Sequence, residues 1–332
     1  MSKGKRSLQY KTVICLNNFF RPVFSFVIPL FFSGVLLLLL LLFSSTAQCQ
    51  NPKEDYTWWN EIHGWKPGDP GWRNWLIISP GFLGPNALPV PEVKKGIIKG
   101  TSNLEFTVSS HFHSGDPTSD FSGKIFIPFA DNKIAVEMYG VIIEHYSFTE
   151  EIRDERFARK RDGKGIAMGD FYFSTLIQII KNKKFPNTLL RMATKTASGN
   201  NLYAARYTDS PGYFFDLSFS KSHTAKSGFD IKPFGLIGFY SWQTNDELKL
   251  QNDALLYAAG CEINKSDWQA SGSISGYSGY KKERDRPVQL NFELEKNLKA
   301  NSVRLYYINS LKSWGYNTIR VSFIYTLDKS GK

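Results

Sequence analysis

The chain has 332 residues, 42% of them hydrophobic and 15% aromatic, with 41 basic against 30 acidic residues and a formal net charge of +11. That surplus is thinly spread and no element carries a basic stripe interleaved with aromatics, which excludes nucleic acid as a favoured partner. Three cysteines are too few for a disulfide scaffold. A mean hydropathy of −0.29 looks polar for a membrane protein but leaves a barrel open, because a barrel turns only alternate residues to lipid.

The first 47 residues read as a cleaved signal peptide. Lys3, Lys5, Arg6, Lys11 and Arg21 form a basic leader without an acid, and an apolar run from Val23 to Phe43 follows, ending in seven leucines. Ser45-Thr46-Ala47 then supplies the small residues of a cleavage site. Removing this segment lowers the formal charge by five, to +6. An uncleaved anchor is the alternative, since the run exceeds the usual signal core of about 7–15 residues. Lipid attachment at Cys49 is a further one, against which Gln48 stands where a small residue is needed.

Residues 48–99 form an irregular segment rich in tryptophan and proline, with one short strand expected near Leu76-Ile77-Ile78. It either plugs a barrel or lines its mouth as an aromatic collar. From residue 100 to 328 the chain reads as an all-β, antiparallel transmembrane β-barrel of about twelve strands, each near the length of a tilted membrane strand. The candidates are 103–113, 121–129, 133–147, 169–181, 187–197, 213–221, 229–241, 253–263, 267–278, 287–296, 301–309 and 316–327. Odd-numbered connections are mostly long, charged or rich in Gly and Pro, and the others mostly tighter, as expected when both termini lie on the periplasmic side.

Alternation separates two faces. In the last strand Ile319, Val321, Phe323 and Tyr325 oppose Thr318, Arg320, Ser322 and Thr326. The apolar set is expected to meet lipid. The inward set then contains Glu105, Lys124, Glu137, Asp170, Arg191, Lys195, Asp216, Glu293, Glu295, Arg304 and Arg320 as lumen or selectivity residues. A twelve-stranded barrel falls between those filled by side chains and those holding a channel.

The third connection repeats arginine every three residues, at Arg153, Arg156 and Arg159, close to helical spacing. A short helix over the pore mouth would let them draw anionic groups, while the nearby acids suit a solvated loop instead. In the fifth connection Arg206 and Asp209 read as a loop lock.

Gly169-Asp170 opening one strand, Lys195-Thr196-Ala197-Ser198-Gly199 closing the next, and Tyr213-Phe214-Phe215-Asp216 with Ser220-Lys221 are a run of local motifs. Over about residues 165–240 they resemble the MetA-pathway phenol-degradation family of outer-membrane barrels. The resemblance implies a channel-like protein associated with uptake of small organic compounds. More broadly the chain is similar to uncharacterised Gram-negative outer-membrane barrels, which implies location.

His111 and His113 share a face of the first strand and His145 ends the third. With Ser109, Ser147 or Asp170 they suggest a rim Ser-His-acid set or a metal site. There is no nucleophile elbow, no HExxH and no paired cysteine, so no catalytic residue, metal ligand or cofactor is assigned. The expectation is a monomeric outer-membrane channel for small solutes, in contact with outer-membrane lipids. A lipid-acting barrel enzyme and an occluded binding barrel are the alternatives.

Overall fold

The computed structural model describes residues 55–181 and 184–327. The expected signal peptide, residues 1–47, and Cys49 lie outside the described residues. Fourteen strands form one antiparallel sheet: β1 Asn103–Phe112, β2 Thr118–Phe129, β3 Ile134–Ser147, β4 Lys164–Ala167, β5 Phe171–Ile180, β6 Asn187–Lys195, β7 Gly212–Ser220, β8 His223–Thr224, β9 Asp230–Gln243, β10 Gln251–Lys265, β11 Trp268–Gly279, β12 Val288–Leu298, β13 Asn301–Lys312 and β14 Asn317–Thr326. β4 and β8 are short additions to the edges of β3 and β9. The other twelve pair in chain order, and β14 closes on β1 from Asn103↔Thr326 to Phe112↔Asn317. The result is a closed twelve-stranded transmembrane barrel, and its strands correspond one for one with the twelve expected from alternation.

Alternation works because lipid and lumen select opposite residue types. Outward side chains such as Val108, Phe173, Ile237, Phe292, Leu305 and Val321 are among the large exposed apolar groups, and they ring the barrel. Tight turns such as Ala130-Asp131-Asn132, all three at positive φ, lie at the rim where β1 begins and β14 ends. The opposite rim carries the connections 113–117, 148–170, 196–211, 244–250, 280–287 and 313–316, and is called here the long-loop rim.

The irregular segment before β1 departs from expectation in two ways. Its residues 57–63 form an α-helix and 72–75 a turn of 3-10 helix, while Leu76-Ile77-Ile78 forms no strand. The prolines prevent a ladder, and backbone groups are met by barrel side chains instead: Trp242 donates its indole N–H to the Ile78 carbonyl at 3.1 Å, and Tyr277 its hydroxyl to that of Leu88 at 2.7 Å.

The path of this segment follows from its contacts. Trp59 donates to the Phe157 carbonyl at the long-loop rim. Leu83, Leu88, Val90 and Val93 then pack in one cluster with Phe214, Leu236, Tyr240, Trp242 and Leu256 from β7, β9 and β10. Ile98 ends in a second cluster with Phe126, Ala135, Leu176 and Leu189, below the first. The chain thus runs through the barrel from the long-loop rim to the start of β1. Leu83 and Leu88 are each 1% exposed, and burying such a side chain contributes about 1.5–3 kcal/mol. Gly96 lets the backbone press against β7: it has φ +74°, and a Cβ there would stand 2.8 Å from the Ser220 nitrogen.

Candidate functional site in the barrel lumen

The lumen is divided unevenly. The inner segment packs against β7, β9 and β10, and the free space is lined mainly by β1, β2, β13 and β14, with residues of the other strands reaching it from across the lumen. Two cavities lie there. One, of about 190 Å³, reaches from Asn86 and Trp314 toward the middle; the other, of about 180 Å³, extends past Lys99 and Asn103 at the opposite rim. They share Glu92, Glu105, Lys124, Glu293 and Arg304.

Most of those shared residues form a charged waist. Lys124 Nζ lies 2.9 Å from Glu92 and 3.3 Å from Glu105, and Arg304 pairs with Glu105 and stands 3.9 Å from Glu92. Glu92 is brought in by the inner segment, whereas the other three come from barrel strands. Three further ion pairs hold the segment beside the waist: Lys94 meets Glu137 at 2.7 Å, and Lys95 meets Glu262 at 2.9 Å and Glu293 at 3.2 Å.

Every inward candidate from the sequence faces the interior, but most are spoken for. Arg191 pairs with Asp216 at 2.6 Å, Lys195 with Asp170 at 2.7 Å and Glu295 with Lys99 at 3.7 Å. Arg320 is different. Among the described residues it makes no ion pair and no side-chain hydrogen bond, and it lines the larger cavity.

A clamp closes the long-loop rim. Arg206 donates to Asp116 at 2.7 and 2.9 Å and to Glu144 at 2.8 Å. Arg156 reaches the same Asp116 at 2.6 Å and donates to the Tyr316 hydroxyl at 2.9 Å, and Tyr316 itself bonds Asp116. Asn86 carries the clamp to the inner segment, donating to Asp120 at 3.0 Å and Glu144 at 2.8 Å. The expected loop lock is thus real for Arg206. Asp209 locks elsewhere, pairing with Arg73 of the inner segment.

The third connection does contain a short helix, Glu150–Glu155, capped by the Thr149 hydroxyl. Its arginines do not face outward to draw anions. Arg153 binds Asp154 and stacks 4.6 Å over Trp58, Arg159 lies 4.5 Å over Trp59, and Arg156 is committed to the clamp.

The three histidines do not converge. His111 points inward, its Nε2 2.6 Å from Asp120 and its Nδ1 2.8 Å from Thr318. His145 points outward. A bulge opposite Phe121/Ser122 adds Ile142 to β3 and reverses its faces, so Glu144 is buried and His145 exposed. Strict alternation from Glu137 places His145 inside and hides Glu144, which is why the clamp escaped the sequence reading. Glu92, Lys94 and Lys95 escaped because they sit in a segment without periodicity.

Burial of Asp116 raises its carboxyl pKa, but the nearby charges of Arg206 and Arg156 outweigh this and hold it below its ordinary value. A depressed folded pKa means that the clamp's contribution to stability is complete above the unfolded value of about 3.9 and is lost as pH falls through the lower folded one. Tryptophan fluorescence of the folded barrel should therefore stay constant down to about pH 4 and change only below it. Asp116→Asn should remove that step, and a transition in wild type centred well above pH 4 would contradict it.

No protein-family model matches the sequence, and neither does any curated protein. Solved structures similar to it include an outer membrane channel from Pseudomonas putida F1, with 10% identity over 72% of this chain and 100% of that one and a TM-score of 0.47. NanC porin is similar at 12% identity, covering 68% of this chain and 100% of its own, with a TM-score of 0.43. KdgM porin is similar at 9% identity, covering 68% and 99%, with a TM-score of 0.42. At these values the chemistry of the lumen rests on this chain's own residues.

Proposed function

We propose that this protein is a monomeric outer-membrane channel of narrow bore that lets small solutes pass along the β1, β2, β13 and β14 wall. The observation that carries this is the pair of cavities stacked on that wall and meeting at the waist of Glu92, Lys124, Glu105 and Arg304. Its apolar outer belt fits a lipid bilayer, and an exported chain of this architecture fits the outer membrane. Selectivity would come from the waist's paired charges and the width they leave. The local resemblance around residues 165–240 to channels for small organic compounds agrees in kind.

The inner segment is the feature that favours an occluded barrel instead, and one recording separates the two. Purified, folded protein in planar bilayers should give steps much smaller than those of open porins. A folded barrel that stays silent across the voltage range would overturn the channel reading.

A further inference from the structure

The larger cavity contains a cation that makes no ion pair among the described residues. Eight charged residues line it. Glu92, Glu105, Lys124 and Arg304 answer one another at the waist. Glu293 is held by Lys95 and Asp170 by Lys195, while Asp120 is hydrogen-bonded to His111 and Asn86 and also feels the charge of Arg320. The remaining one is Arg320, with no ion pair among the described residues.

Register fixes what surrounds it. Arg320 stands between Ser109 of β1 and Tyr306 of β13. The acid in the same row, Asp120, lies two strands away beyond Ser109 and already accepts from His111 and Asn86. Asp120 also keeps one oxygen, Oδ1, without a hydrogen-bond partner. The rest of the lining mixes hydroxyl and amide groups, such as Ser109, Ser322 and Gln289, with apolar and aromatic ones, among them Val90, Ile308 and Trp314. An apolar cavity of about 150 Å³ suffices for benzene, so about 190 Å³ has room for a ring-sized body and a small head group.

We propose that this cavity is a binding site for a small organic carboxylate with a compact apolar body, its carboxylate held by Arg320 and its body against Ile308 and Trp314. A guanidinium offers paired donors that match a carboxylate, and the partly buried setting strengthens the bond. Arg320 is half-buried and makes no ion pair among the described residues, so an arriving carboxylate meets a cation that need not first be released from another acid.

This names the solute class of the channel reading, and binding is measured separately from conductance so that either can fail alone. Full-length folded protein in detergent is titrated with benzoate, benzyl alcohol and acetate, following heat of binding and tryptophan fluorescence. Benzoate should bind, and the neutral alcohol and the small anion should each bind at least roughly tenfold more weakly, as loss of one charged bond or of the apolar contacts implies. Arg320→Gln should lower benzoate affinity by a similar factor, and Arg320→Lys should restore part of it. Unchanged heat-modifiable migration on gels shows that each variant is folded. Equal affinity of wild type and Arg320→Gln, or equal binding of benzoate and benzyl alcohol, would overturn the site. Binding without conductance would keep the site and remove the channel; conductance without binding would do the reverse.

Discussion

Replacing Arg206 with methionine should destabilise the barrel by about 3 kcal/mol or more, because breaking a buried ion pair strands its partner. Arg206 is fully buried and holds Asp116, Glu144 and the Thr118 hydroxyl while lying 4.7 Å over the Tyr146 ring. Methionine keeps the stem but removes five donors. Asp116 would retain Arg156 and Tyr316, and Glu144 would retain Tyr207 and Asn86, which places the loss toward the lower end of the usual range for such breaks. Arg206→Lys keeps charge without the planar fork and should fall between. Urea unfolding in detergent micelles reads the difference. The effect should also show locally, since the clamp joins connections 113–117, 148–170 and 196–211 to the inner segment. Protease should therefore cut these loops faster in the methionine variant. Unchanged stability and cutting would mean that hydrophobic packing beneath the loops holds them alone.

The double substitution Lys94→Ala, Lys95→Ala should widen the channel and shift its selectivity toward cations. These two residues tie the inner segment to Glu137, Glu262 and Glu293 on three different parts of the wall. Removing them leaves Glu92, with Lys124 and Arg304, as the segment's remaining tie at this depth, loosens the stretch that follows it and deletes two positive charges from the lumen. Glu262 would keep Lys232 at 2.5 Å, whereas Glu137 would lose its only ion pair among the described residues. Single-channel conductance should rise several-fold, and reversal potentials in a salt gradient should shift toward cations, since unpaired carboxylates in a pore favour them. The barrel should still fold, because Leu83, Leu88 and Val90 remain packed against β7, β9 and β10. Unchanged conductance would place the resistance in that apolar packing and not at the waist.

The amino-acid sequence by itself determined the barrel. Alternation is enforced residue by residue by two different solvents, so Phe323 and Ser322 report their faces without knowledge of any neighbour. Strand number and inward charges were legible for the same reason. What only the tertiary structure decided was which charges meet. The Ile142 bulge turned Glu144 inward and His145 outward, a one-residue event that alternation does not reveal. The route of residues 57–102 through the lumen depends on side chains such as Trp242 and Tyr277 from distant strands, which serve a segment with no period of its own. Closure around that segment then gave six of the eight charges lining the larger cavity an ion-pair partner, tied Asp120 to His111 by a hydrogen bond and left Arg320 without an ion pair, because pairing depends on distance across the lumen and not on position along the chain.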